Sequence, residues 1–341
     1  MKLTYTIKIA LLAISTLATP SLAGNKMIYG DDDRVDYYAM PENLKWAADS
    51  TVALWKRNSM RLDQKAGAYN LSTYTFGEGY NLCAGEKFRE QPAGASCSGA
   101  LVGEDLVMTA GHCIVTQGDC NSAAFVFGYA VHEAGGKART EIPAGEVYTC
   151  SEIVKRQLVN VTTAEDNMET TVYGPDYALI KLDRKVKGHK PLPVNRGGGL
   201  KKGTPLFVTG HPTGLPFKFA GNARVIKDMD SASAYFSTNL DTFGGNSGSP
   251  VFNAETLLIE GIHVRGEGGQ HFIPTFEGCN TYLVRPPGTG TGGHVTKVDF
   301  LAVEIPPTAG ESAAQAYMYS SLAALRKEEF IQHKTVNFDL R

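Results

Sequence analysis

The chain has 341 residues and is nearly charge-balanced, with 33 Lys and Arg against 35 Asp and Glu. It has no basic run of the kind a nucleic-acid binder needs, so nucleic acid is not an expected partner. Hydrophobic residues make up 43 %, as in an ordinary globular protein, and 37 glycines with 16 prolines favour a turn-rich β architecture over a helical bundle.

In chain order, residues 1–23 have the form of a secretory signal. Lys2 and Lys8 give a positive start, residues 9–17 are largely apolar, and Ser21, Leu22 and Ala23 resemble a small-residue cleavage site. A membrane anchor is the alternative, but the apolar run is short for spanning a bilayer, and no later segment is long and apolar enough to cross one. A secreted or periplasmic protein with no membrane partner is expected. Residues 24–95 carry few periodic signals apart from "STVALWKR" at 50–57, which reads as a first strand. From Ser96 onward short apolar runs recur: "SGALV", "DLVMT", "AAFVFGYAV", "DYALIKL", "TPLFVTG", "NARVIK", "SPVFN" and "LLIEGIHV". They are rich in Val, Ile, Phe and Tyr and bounded by Gly, Pro, Asn and Asp, the pattern of an all-β barrel or sandwich. The stretch "VNRGGGLKKGTP" (194–205) divides the strands into two groups. Residues 310–330 differ: Ala314, Met318, Leu322 and Leu325 share one face at helical spacing, so an amphipathic C-terminal helix is expected.

The six cysteines are Cys83, Cys97, Cys113, Cys120, Cys150 and Cys279. An even count in an exported chain points to disulfides. There is no CxxC pair or HExxH motif, so no metal site and no cofactor are expected.

The stretch with the clearest chemistry is "DTFGGNSGSPVF" (241–252), where Ser247 sits among Gly244, Gly245, Asn246 and Gly248. A serine hydroxyl is a poor nucleophile unless a base removes its proton and a third group orients that base. His112, in "TAGHC", follows a strand-like run at a turn. Cys97 lies one strand upstream, and a Cys97–Cys113 disulfide would hold the base still while contributing about 3 kcal/mol. A lone histidine is more often a satisfied core residue, and this context argues otherwise. Asp176, immediately before an apolar strand, is the best orienting acid; Asp166 and Asp183 are rivals that read better as solvated charges. A nucleophile-elbow hydrolase needs G-x-S-x-G, and here the second position after Ser247 is Ser249.

Together "CSGALV…TAGHC", "DYALI" and "GNSGSP" resemble the chymotrypsin-like serine endopeptidases over roughly residues 95–265, with His, Asp and Ser in the same order. The resemblance implies two six-stranded antiparallel β-barrels with the active site between them. It implies His112 as general base, Asp176 as its orienter, Ser247 as nucleophile, and the N–H groups of Gly245 and Ser247 as oxyanion hole. Glycines there permit the turn that aims two donors at one oxyanion. Protein or peptide substrates, and a monomer, are expected; a catalytically inactive protease-like binding protein is the non-enzyme alternative. The organisation implied is a first barrel with its N-terminal segment over 27–195, a second over 196–305, and the helix and tail over 306–341.

Asn246 stands where the animal digestive enzymes carry the aspartate that pairs with a freed N-terminal amine, so their activation mechanism does not transfer. "GGNSGSPVF" followed by "EGIHVRG" is similar to the bacterial glutamyl endopeptidases, and "MIYGDDDR" (27–34) to their mature start. That resemblance implies residues 24–26 as a very short propeptide. It also implies a pocket of Thr242, His263 and the Met27 amine, which suits a carboxylate side chain. Asp241 opposes this: it falls where trypsin's pocket carries its cation-binding aspartate, and would favour Lys or Arg. Arg265 is read either as lining the substrate strand or as a solvated edge residue, and Lys218 and Arg224 as surface charges. Cys120 and Cys150 flank a strand pair and are candidates for a bond, which would leave Cys83 with Cys279; the three pairings of these four stay open.

Overall fold

The computed structural model describes residues 27–165, 168–227, 233–266, 271–308 and 311. The expected signal, propeptide, Asp166 and, apart from Glu311, the C-terminal helix lie outside the described residues.

Six strands close the first barrel: β1 (Thr51–Lys56), β2 (Cys97–Gly103), β3 (Leu106–Thr109), β4 (Ala123–Val126), β5 (Val147–Glu165) and β6 (Met168–Leu182), in the order β4-β5-β6-β3-β2-β1. Every neighbouring pair is antiparallel. Alternation along the strands sorts the side chains. Leu101 faces inward with Val52, Leu54, Val107, Phe125 and Ile180. Its neighbours Ala100 and Val102 face the other way, into a layer shared with Phe207, Phe252, Ile262 and Val264 of the second half. That shared layer fuses the two halves, each buried Val, Leu, Ile or Phe contributing on the order of 1.5–3 kcal/mol.

The second half contains β7 (Pro205–Gly210), β8 (Lys218–Arg224), β9 (Tyr235–Thr238), β10 (Ser249–Asn253), β11 (Ile259–Arg265) and β12 (Gly293–Lys297). They run in the order β9-β12-β11-β10-β7-β8, and Val35–Asp36 adds a seventh strand beside β8. The two ends of the six-strand row meet at a Val225–Thr238 bridge, where the Ile226 N–H donates to the Ser237 carbonyl at 3.0 Å.

Most apolar runs legible in the sequence are strands, with two differences. β5 and β6 form a hairpin longer than "DYALIKL", paired from Asn160–Tyr173 out to Glu165–Met168. The strand expected around "NARVIK" lies earlier, at Lys218–Arg224, because a register shift between Leu206 and Val208 and a positive φ at Asn222 (51°) bend the chain there.

The N-terminal segment docks on the second half although the first barrel follows it in sequence. Ile28–Tyr29 pairs in parallel with Val284–Arg285, and Val35–Asp36 pairs with Lys218 and Phe219. The Cys83–Cys279 disulfide ties the same two regions. Lys218, expected at the surface, is instead 2 % exposed. Its ammonium meets Asp36 at 2.7 Å and Gln91 at 2.8 Å. Burial pulls its pKa down to about 8 against the opposing pull of Asp36.

Candidate active site

The loop after β3 carries His112, and β6 carries Asp176. His112 Nδ1 lies 2.8 Å from Asp176 Oδ2, and the His112 backbone N–H donates to Oδ1 at 3.1 Å. The carboxylate is 1 % exposed and the imidazole 23 %, so the acid is enclosed while the imidazole stays partly accessible. Burial alone would raise the Asp176 pKa. The hydrogen bond and charge of His112, then the nearby Arg265 guanidinium, outweigh it and hold the carboxyl below its ordinary range. Cys97 and Cys113 are bonded, and their sulfurs lie within 4.8 Å of a His112 ring nitrogen. Both sulfurs are consumed by the bond, so the disulfide lies beside the His112 ring and offers no thiolate to a metal. Cys120–Cys150 and Cys83–Cys279 are the other two disulfides.

Ser247 is brought to the same place by backbone contacts. The Ser98 N–H donates to the Ser247 carbonyl at 2.8 Å, and Cys113 Sγ lies 3.7 Å from that oxygen. The turn depends on glycine at two positions. Gly245 has φ 88°, and a Cβ there would stand 2.5 Å from the His211 carbonyl; Gly248 has φ 89°, and a Cβ would stand 2.0 Å from the Ser98 carbonyl. Among the described residues the Gly245 N–H has no acceptor, whereas its carbonyl takes the Ser98 hydroxyl at 2.8 Å. Asn246 turns inward: its Oδ1 accepts the Phe243 N–H at 3.0 Å and its Nδ2 donates to Ser249 Oγ at 3.2 Å. It braces the turn from within.

His211 also belongs to this support, and the sequence offered only "GHP" as a signal for it. Its N–H donates to Ser98 Oγ at 2.9 Å, and its Nδ1 lies 3.1 Å from the Leu215 carbonyl. Burial lowers its pKa to about 3, so the ring is neutral and structural.

Thr242, Met27 and His263 are all buried. The Thr242 N–H donates to the Met27 carbonyl at 3.3 Å. His263 pairs with Ser249 across β11 and β10, and its carbonyl accepts the Gly248 N–H at 2.8 Å. It therefore adjoins the turn that carries Ser247.

Asp241 is engaged by the N-terminal segment. Its oxygens accept the N–H of Tyr29 at 2.8 Å and of Asp33 at 3.1 Å. Burial raises its pKa to about 6 although these two donors oppose the shift. Asp33 goes further, to about 8, through burial and then the Asp241 charge and hydrogen bond. Beside the pair, Arg34 is 1 % exposed. It is chelated by Asp32 at 2.8 and 2.7 Å, and its guanidinium lies 4.4 Å from the Phe243 ring centroid and 4.7 Å from that of Tyr282.

Arg265 lines no open strand edge and is not solvated; it is 5 % exposed and turned toward Asp176. A register shift between His263 and Arg265 re-aims it. Arg224 is exposed, as expected, and Asp183 is an exposed residue that accepts the Thr149 N–H at 2.9 Å.

A family model described as a trypsin-like peptidase domain matches residues 97–259. A trypsin-like protease of Streptomyces glaucescens is 26 % identical over 194 residues, which is 50 % of this chain and 65 % of that protein. A secreted RxLR effector protein of Plasmopara viticola is 26 % identical over 175 residues, 49 % of this chain and 40 % of its own length. The chain thus spans less than two thirds of either curated relative. A solved Glu endopeptidase structure covers 82 % of this chain and 97 % of its own at 16 % identity, with a TM-score of 0.43.

Proposed function

From a chain that carries a trypsin-like peptidase domain over residues 97–259, we propose a serine endopeptidase with Ser247, His112 and Asp176 as its triad. The observation that carries this reading is the 2.8 Å contact of His112 Nδ1 with a carboxylate that also takes the His112 backbone N–H. That geometry fixes the tautomer in which Nδ1 holds the proton and Nε2 is the base. In the proposed reaction Ser247 Oγ attacks the scissile carbonyl as Nε2 takes its proton. The N–H groups of Gly245 and Ser247 receive the developing oxyanion. Collapse expels the amine, which leaves with the proton from His112, and water hydrolyses the acyl-enzyme by the same route.

We assign the pocket for the residue before the scissile bond to Thr242, His263 and the Met27 amine, giving cleavage after Glu or Asp. The amine requires cleavage between Lys26 and Met27. The competing reading, cleavage after Lys or Arg, rests on Asp241. Both oxygens of that residue are engaged by Tyr29 and Asp33, which supports the acidic assignment. Three disulfides suit an oxidising compartment and support secretion. No helix among the described residues is long and apolar enough to cross a membrane.

The test is hydrolysis of matched peptides with Glu, Lys or Leu before the scissile bond, in the wild type, Ser247→Ala and Asp241→Ser. The expected result is no hydrolysis by Ser247→Ala, preference for Glu in the wild type, and a larger preference in Asp241→Ser. Lys preferred by the wild type and lost in Asp241→Ser would refute the assignment of His263. Equal hydrolysis by wild type and Ser247→Ala would refute the enzyme.

A further inference from the structure

Arg265 is a charged residue at the end of a strand whose other members are fully or nearly buried, and burying a guanidinium is costly unless it is paired. Its partners are specific. Nη2 donates to Asp176 Oδ2 at 3.4 Å and to Asn160 Oδ1 at 3.2 Å, and Nη1 donates to the Gly174 carbonyl at 3.3 Å. The guanidinium stands 4.8 Å from the Tyr173 ring centroid. The oxygen it approaches is the one that accepts from His112. We propose that Arg265 is a positioning residue for the triad: it holds the Asp176 carboxylate through the same oxygen that faces His112 and offsets part of its charge.

Two consequences follow from one geometry, and both rest on the serine endopeptidase reading. The first is orientation. Asp176 Oδ1 takes the His112 backbone N–H, Oδ2 takes the imidazole and the guanidinium, and the Asp176 N–H donates to Thr296 Oγ1 at 3.3 Å. With both carboxylate oxygens engaged and the backbone tied to Thr296, the imidazole is held in place, and angstrom-scale misplacement in such a site can cost about 100-fold. The second is electrostatic. A carboxylate in an enclosed site stabilises imidazolium, and a cation beside that carboxylate reduces the effect. Arg265 therefore offsets part of the Asp176 charge that acts on the imidazole.

The other groups facing this centre do not reproduce that role. His294, opposite Arg265 on β12, has its pKa lowered to about 4 by burial and then by Arg265 and Lys227, so it is neutral where a histidine base works. Tyr173 and Tyr235 also face the guanidinium, and both are unchanged in the variants below. Arg156, on β5, donates to the Gly111 carbonyl at 2.8 Å and stays cationic in every variant below. His263 is two residues earlier on the same strand and is unchanged in them.

The experiment compares wild type, Arg265→Met and Arg265→Lys. It reads kcat and KM on one peptide, the rate of fluorophosphonate labelling against pH, and the titration of the His112 ring by NMR. Arg265→Met should lose roughly 10- to 100-fold in kcat with little change in KM. The acid limb of its labelling profile and the His112 titration should both move to higher pH. Arg265→Lys keeps a cation without the fork, so it should hold the wild-type limb while losing part of kcat; it remains informative if Arg265→Met does not fold. Wild-type pH limbs in Arg265→Met, or Arg265→Lys equal to wild type in kcat, would overturn the proposal. The NMR titration needs no turnover. A wild type that shows the shift on Arg265→Met but takes no label would fault the enzyme reading, and unchanged titration in a wild type that does label would fault Arg265 alone.

Discussion

Two buried carboxyl centres in this molecule are driven in opposite directions. Asp176, on a first-barrel strand, is enclosed against Arg265 and Thr296 of the second half, and its pKa falls below the ordinary range; Asp241 and Asp33 are enclosed where the N-terminal segment docks, and theirs rise to about 6 and about 8. Burial pushes all three up. The difference lies in the neighbours: Asp176 faces the imidazole of His112 and the guanidinium of Arg265, whereas Asp241 faces another acid. The adjacent cation, Arg34, is already chelated by Asp32. One centre is thereby kept as a charge beside an imidazole, and the other is pushed toward its protonated form where a segment docks.

The sharpest way to break this comparison is Asp176→Asn. It removes the charge at constant shape, inverts the imidazole tautomer, and should lower kcat by about 10⁴-fold with the fold retained. Steady-state kinetics with circular dichroism checks it, and near-wild-type turnover would move the orienting acid elsewhere. Next in size is Arg34→Met. It leaves Asp32 with only the longer ion pair to Lys87 at 3.9 Å and removes the guanidinium from beside Phe243 and Tyr282, so urea unfolding should show a loss of about 3–5 kcal/mol. A loss below about 1 kcal/mol would mean that the N-terminal segment is not held through this arginine. The paired change Cys83→Ser with Cys279→Ser opens a link spanning 196 residues and should lower stability by about 2–4 kcal/mol in the same assay.

The smallest expected effect addresses the acid pair itself. Asp33 has a folded-state pKa raised to about 8. Its contribution is fully present below the unfolded value near 4 and is lost as pH climbs through about 8. Asp33→Asn mimics the protonated form at every pH. The melting temperature of the variant relative to wild type should therefore rise across pH 4 to 8. A constant difference over that window would show that no proton is shared there.

Local chemistry was legible in the sequence, and long-range pairing was not. "TAGHC", "DYALI" and "GNSGSP" each carry their own turn or strand signal, so most strands and the three positions proposed for the triad could be read from residues a few places apart. The strands Tyr235–Thr238 and Gly293–Lys297 are short and not uniformly apolar, and nothing local marks them. Lys218 looked like a surface charge because its partner, Asp36, is 182 residues away. Asp241 was read only by its likeness to a cation-binding pocket position, because Tyr29 and Asp33, whose N–H groups its oxygens accept, lie more than 200 residues earlier. Arg265 was misplaced for the same reason, with Asp176 at a separation of 89. The one local sign was a cation closing the otherwise apolar run "IEGIHVR", and a strand bulge decides where such a side chain points.

The measurement that bears most directly on the account is mass mapping of the protein after reaction with a fluorophosphonate. A triad made of Ser247, His112 and Asp176 predicts one adduct, on Ser247, formed by the wild type and not by His112→Ala at matched pH and concentration. An adduct on another serine, or a Ser247 adduct that forms equally fast without His112, would contradict it.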